Sequence, residues 1–104
     1  MKTKKEETKE ELKSIKVDFS KVEVQVSYEG DPQEVDFRKD IANRIRRITG
    51  DFGLEAVARN IYFSESDVEV PEEYIPAILE VVSHNYNVPT QEAFNNLLTI
   101  NKED

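Results

Sequence analysis

Apolar and polar residues alternate strictly near the start of the chain. Residues 21–28 read KVEVQVSY, in which valine and tyrosine alternate with polar side chains, and residues 15–19 read IKVDF with the same period. Alternation with β-branched residues is typical of a half-buried strand. Because the parity changes at Ser20–Lys21, we predict a main strand at 21–28, preceded by a bulge or a weaker strand.

A single strand leaves its backbone hydrogen-bonding groups unpaired, so the strand at 21–28 needs a partner. The candidate partners are residues 15–19, residues 67–70 and the equivalent strand of a second molecule. The third option predicts a homodimer through strand 21–28, with a sheet that crosses the two-fold axis.

Beyond residue 32 the apolar residues recur every three to four positions, which is typical of amphipathic helices. The segment 64–70 fits either an acidic loop or a short second strand. We therefore predict an α+β fold, with an N-terminal β-strand or hairpin followed by a compact bundle of about four helices. The four predicted helices lie at 33–48, at 52–62 with Asp51 as N-cap, from a start between 71 and 76, and from Thr90 as N-cap.

The first predicted helix has an apolar stripe and a favourable charge arrangement. Glu34 and Asp36 would lie in its first turn and Arg46 and Arg47 in its last, which suits the helix dipole. Gly50 follows as a candidate C-terminal cap. The stripe consists of Phe37, Ile41, Ile45 and Ile48.

The length of 104 residues fits one domain. Residues 1–13 hold nine charges, so we expect a disordered charged N-terminal tail, a single α+β domain at 14–101 and a polar C-terminal end at 102–104. Without cysteine, no disulfide, thiol catalysis or zinc–thiolate site can form. No apolar run is long enough to span a bilayer and no targeting segment is recognised, so we expect a cytoplasmic protein of a prokaryote or mobile element.

Charge is distributed unevenly along a chain whose net charge is −8. Residues 1–50 carry 12 basic and 11 acidic side chains, whereas residues 51–104 carry 2 basic and 11 acidic ones. These groups are either solvated surface or complementary patches for another chain, including a second copy. The basic cluster comprises Arg38, Lys39, Arg44, Arg46 and Arg47, and the acidic cluster comprises Glu65, Asp67, Glu69, Glu72 and Glu73.

The sequence indicates no catalytic residue, metal ligand or cofactor site. His84 is the only histidine and fits a structural place near the end of a helix. A calcium loop starting at Glu65 would need glycine at its sixth position and glutamate at its twelfth, where the chain has Val70 and Pro76. Four aromatic residues remain as candidates for a recognition surface if several prove exposed together: Tyr62, Phe63, Tyr74 and Tyr86.

These observations favour a small acidic, non-enzymatic protein–protein interaction module whose partner and process are unknown. One alternative is a nucleic-acid-associated protein that uses the basic face of helix 33–48, although the net charge makes a polyanion an unfavourable partner. A second alternative is an acidic decoy that occupies the basic groove of a nucleic-acid-binding protein.

Overall fold

The structure, a computed structural model, describes residues 13–99, so nearly all of the predicted tail and the polar end at 102–104 lie outside the described residues. The α+β class is confirmed: short strands at the N-terminal side are followed by helices. None of the helices within residues 13–99 combines the length and apolar composition that crossing a bilayer requires. In chain order, the elements are β1 (Ser14–Val17), β2 (Val22–Val24), β3 (Gln33–Val35), α1 (Arg38–Ile48), α2 (Phe52–Phe63), β4 (Val68–Pro71), a 3-10 turn (Glu72–Tyr74), α3 (Ile75–Asn85) and α4 (Val88–Leu97).

The strands form two antiparallel pairs, and the partner of the strand predicted at 21–28 is neither of the same-chain candidates, 15–19 and 67–70, but residues 33–35. β1 pairs with β4, so that Val17 faces Val68 and Ile15 faces Val70. β2 pairs with β3, so that Val22 faces Val35. The segment 64–70 therefore contributes a strand, and the alternating segment 15–19 supplies β1.

The strand predicted at 21–28 is shorter than expected, since β2 ends at Val24. The chain then turns back through a loop in which the Gln25 amide donates to the carbonyls of Ser27 (3.1 Å) and Gly30 (2.8 Å). Gly30 has a φ of +92°, a backbone conformation that favours glycine. Because the Gln25 side chain holds this turn, residues 25–28 do not continue the antiparallel pairing of β2 with β3.

The first helix starts later than predicted, at Arg38 instead of residue 33. Residues 33–35 form β3 because β2 needs a hydrogen-bonding partner, so Glu34 and Asp36 lie before the helix and its first-turn acid is Asp40. The proposed glycine cap is also wrong: the end of α1 is closed by the Thr49 N–H, which donates to the Ile45 carbonyl, and Gly50 has no positive φ.

Of the three remaining helices, α2 and α4 start at a side-chain cap, whereas α3 starts at Ile75, within the predicted range 71–76, directly after the 3-10 turn and without a side-chain cap. Asp51 is the N-cap of α2, as predicted, and its carboxylate accepts from the N–H groups of Gly53 and Leu54. The fourth helix starts at Val88 rather than after Thr90, because Asn87 is the N-cap and its side-chain oxygen accepts the Thr90 N–H at 3.2 Å.

One main core joins β1, β4 and all four helices, with Phe94 of α4 fully buried at its aromatic end. Its ring lies 5.2 Å from that of Phe37, 5.7 Å from that of Tyr86 and 6.2 Å from that of Phe19. Ile48, predicted to lie on the buried stripe of the first helix, is instead 67% exposed because the helix ends there. A smaller cluster packs β2 against α4 through Val22, Val24 and Ala93.

Candidate interaction surface

Two of the predicted basic residues are held by neighbouring groups of the same chain. The Arg38 guanidinium donates to the Ser64 carbonyl and forms an ion pair with Asp36 at 2.7 Å, and its hydrogen bonds to the Asp36 carboxylate hold the pKa of Asp36 below its usual value. Arg44 forms an ion pair with Asp40 at 3.0 Å and lies 5.2 Å from the centre of the Tyr86 ring. Both arginines therefore stabilise the packing of α1.

Tyr86 completes the Arg44 cluster. Burial and the hydrogen bond that its hydroxyl donates to Asp40 raise the pKa of Tyr86 well above its ordinary value. Desolvation acts to raise the pKa of Asp40, but the hydrogen bonds from Tyr86 and Arg44 outweigh it and hold that pKa below the ordinary value. The cluster links α1 to the end of α3 and is structural.

The other three basic residues lie on the solvent side of α1, as the helical spacing predicts. The Lys39 ammonium lies 5.8 Å from the centre of the Tyr62 ring. Arg46 forms an ion pair with Glu55 of α2, which also pairs with Arg59 at 2.6 Å. Arg47 forms no ion pair with any residue in the range 13–99.

The five predicted acidic residues lie in three successive parts of the chain: a loop, a strand and a 3-10 turn. Glu65 and Asp67 lie in the exposed loop after α2, and Glu69 stands opposite Lys16 in the β1–β4 ladder. Glu72 and Glu73 lie in the 3-10 turn, whose third residue, Tyr74, reaches back to Gly53 near the start of α2. None of the five forms an ion pair within the described part of the chain.

Two phenylalanines of α2 point to solvent. Phe52 is 91% exposed and Phe63 is 73% exposed. Phe63 is eleven residues after Phe52, so at 100° per residue it points to within about 20° of the direction of Phe52, roughly 16 Å further along the helix. Ala56 and Arg59 are also exposed and lie on the same side. We call Phe52, Ala56, Arg59 and Phe63 the α2 outer face.

A shallow groove of about 300 Å³ runs beside the α2 outer face, between α1 and α2. The buried Ala42 and Ala58 contribute to its lining and leave room because their side chains are small. Glu55 lies in the groove with its side chain only 14% exposed, between its two arginine partners. The full lining is Ala42, Asn43, Arg46, Glu55, Ala58, Arg59, Tyr62 and Phe63.

The sequence prediction named Phe63 and two other residues that line the groove, Arg46 and Tyr62, but missed Phe52. The sequence did contain the relevant information, because the helical spacing places Phe52 away from the buried side of α2, which carries Leu54, Val57 and Ile61. A large apolar side chain at a solvent-facing helical position is the observation that identifies such a surface.

His84 lies in the last turn of α3, where it was predicted, with its ring nitrogen 3.8 Å from a Glu80 carboxylate oxygen. The hydroxyl of the adjacent Ser83 donates to the Glu80 carbonyl rather than to the imidazole. Within residues 13–99, no group of three or more histidine or acidic side chains is arranged to hold a metal ion.

Comparison with known proteins finds no match: no protein family, no curated protein and no solved structure is significantly similar to this chain.

Proposed function

We propose that this chain is a non-enzymatic protein–protein interaction module that binds through the α2 outer face and the adjacent α1–α2 groove. The observation that carries the proposal is the exposure of Phe52 and Phe63 on one line of one helix. Burying a phenylalanine side chain stabilises a complex by roughly 1.5–3 kcal/mol. A protein partner that covers both rings therefore gains several kcal/mol, and exposed aromatic residues are typical interface anchors.

The charges beside the two phenylalanines support a protein partner more than a nucleic acid. Arg46 and Arg59 are already paired with Glu55, and Arg38 and Arg44 are paired with aspartates. A phosphate backbone would have to compete with these carboxylates. Of the five basic residues, only Lys39 and Arg47 form no ion pair in the range 13–99, which is a small footprint for a polyanion on a chain with a net charge of −8. The alternative of an acidic decoy gains no support either, since the five acidic residues are distributed before, within and after β4.

The homodimer through strand 21–28 stays a prediction. It was suggested by a strand without a partner, but β3 pairs with Val22–Val24 in the same chain. The cytoplasmic location likewise stays a prediction that rests on the sequence.

The test compares two double variants with matched chemistry. Phe52→Ser/Phe63→Ser removes the two rings of the α2 outer face. Val26→Ser/Val88→Ser removes two exposed apolar side chains, 51% and 63% exposed, from a different surface beside Tyr28. Circular dichroism and thermal unfolding first establish that both variants fold.

The full chain and both variants are then used for affinity capture from the source cells, and each captured protein is identified, purified and titrated by calorimetry. We expect the phenylalanine variant to lose at least about tenfold in affinity, which equals about 1.4 kcal/mol. The valine variant should bind like the unmodified chain. Equal binding by the unmodified chain and the phenylalanine variant would refute the proposal.

A further inference from the structure

The centre of the α2 outer face carries a positive charge. Arg59 lies between the two exposed phenylalanines, seven residues after Phe52 and four residues before Phe63. At 100° per residue, these spacings place the three side chains within about 40° of one another. A partner that covers both rings therefore also covers Arg59.

Arg59 belongs to an ion-pair network that has an excess positive charge. One carboxylate oxygen of Glu55 accepts from Arg59 at 2.6 Å and the other accepts from Arg46, so two positive charges share one negative charge. The Glu55 side chain is 14% exposed, whereas those of Arg46 and Arg59 are 64% and 61% exposed. The solvent side of this network is therefore basic, although the chain as a whole has a net charge of −8.

An apolar surface alone is an unfavourable cover for this network. A guanidinium that loses its hydration must find hydrogen-bond acceptors and an opposite charge, or the complex is weakened. Each arginine uses one terminal nitrogen for Glu55 and has further N–H groups to donate. A single carboxylate of the partner supplies acceptors for them and balances the charge of the network without displacing Glu55. A nucleic acid would instead bring a run of phosphates to a network that lacks one negative charge.

We infer that the α2 outer face binds an acidic segment of a partner protein, in which an aspartate or glutamate is flanked on both sides by large apolar side chains. This inference rests on the proposed function and specifies the chemistry of its partner. The carboxylate pairs with Arg59 and Arg46, and the flanking apolar side chains pack against Phe52 and Phe63. The charge pair selects the partner and fixes its register on the helix.

The first arm of the test uses a phage-displayed library of random peptides of about twelve residues, which span the face when extended. The library is depleted on Phe52→Ser/Phe63→Ser, which removes peptides that bind elsewhere, and is then selected on the unmodified chain. We expect the selected peptides to share an acidic residue between apolar ones. Depletion on Val26→Ser/Val88→Ser should remove these same peptides, because that variant keeps the α2 outer face.

The outcomes of this selection separate the inference from the proposed function. Selected peptides that lack an acidic residue would overturn the inference, while the proposed function stands. A library in which no peptide distinguishes the unmodified chain from the phenylalanine variant would overturn both.

The second arm reverses the charge at the centre of the face. Arg59→Glu makes the net charge of the network negative. Arg47→Glu makes the same chemical change at an exposed position of α1 that does not line the groove and forms no ion pair within residues 13–99. Circular dichroism first establishes that both variants fold.

The acidic peptides selected on the unmodified chain are then synthesised and titrated by calorimetry. They should bind Arg59→Glu at least about tenfold more weakly than the unmodified chain and should bind Arg47→Glu like it. Their affinity for the unmodified chain should fall as salt rises. A fresh selection on Arg59→Glu should yield lysine or arginine between apolar residues. Acidic peptides from both variants alike would overturn the assignment of the partner's carboxylate to Arg59.

Discussion

Phe94 offers the sharpest test of how the fold is held together. Its ring is fully buried and contacts Phe19, Phe37 and Tyr86, so it joins the N-terminal segment and the start of α1 to α4. Phe94→Ala removes the transfer free energy of the ring and leaves a cavity, which costs about 3–5 kcal/mol. Because three aromatic contacts are lost together, we expect a loss of about 4 kcal/mol in the free energy of unfolding. That is a large share of the 5–15 kcal/mol typical of a domain.

Phe52→Ala is the matched control, because it makes the same chemical change at a position that is 91% exposed. It should change the free energy of unfolding by no more than about 0.5 kcal/mol. Both variants are unfolded with urea at the same chain concentration and followed by far-ultraviolet circular dichroism. If the two substitutions differ by less than about 1 kcal/mol, Phe94 is not the buried junction described above.

Further substitutions test local contacts by the same urea assay. Tyr86→Phe removes the hydrogen bond to Asp40 and should lower the free energy of unfolding by about 1 kcal/mol. This loss is small for a hydrogen bond to a charged acceptor because the carboxylate is half-exposed, so that water replaces the hydroxyl. No loss would show that the hydrogen bond contributes nothing to stability. Since the folded-state pKa of Asp40 lies below its ordinary value of 3.8, its contribution is present above about pH 4 and is lost as the pH falls through the lower folded-state pKa. Asp40→Asn should therefore flatten the fall in stability below that pH, and an unchanged acid profile would contradict this. Gly53→Ala forces the Tyr74 side chain to move, because an added Cβ would lie 2.0 Å from its hydroxyl oxygen, whereas Gly50→Ala meets nothing within 4 Å and should be neutral or stabilising by up to about 1 kcal/mol. Gly53→Ala should therefore be the less favourable of the two, and a Gly53→Ala variant at least as stable as Gly50→Ala would contradict the close contact.

The elements that the sequence predicts well are those with a strong local signal. The α+β class, the helical periods and the Asp51 cap all follow from residue type and spacing. β3 was missed because Gln33-Glu34-Val35 has a single apolar residue, and the strand exists only because β2 supplies its hydrogen bonds. The start of the last helix was misplaced because Asn87 and Thr90 are both acceptable caps, and the choice depends on how the chain enters from α3.

The candidate surface was predictable only in part. Helical spacing correctly placed Lys39, Arg46 and Arg47 on the solvent side of their helix. The contacts of the other two arginines could be predicted only in part, because Arg38 and Arg44 also donate to groups that are 26 and 41 residues away in the chain. Such contacts are set by how the helices pack, which residue spacing within one helix does not encode.

A pair of single charge insertions tests most directly whether the α2 outer face is the surface through which this chain binds a protein. Ala56→Glu places a charged side chain between the two exposed phenylalanines, and Ser83→Glu places the same side chain on the exposed side of α3. Both variants are titrated by calorimetry against the captured partner, after circular dichroism has shown that they fold. Ala56→Glu should bind at least about tenfold more weakly than the unmodified chain, and Ser83→Glu should bind like it. Equal affinities for the two variants would contradict binding through the α2 outer face.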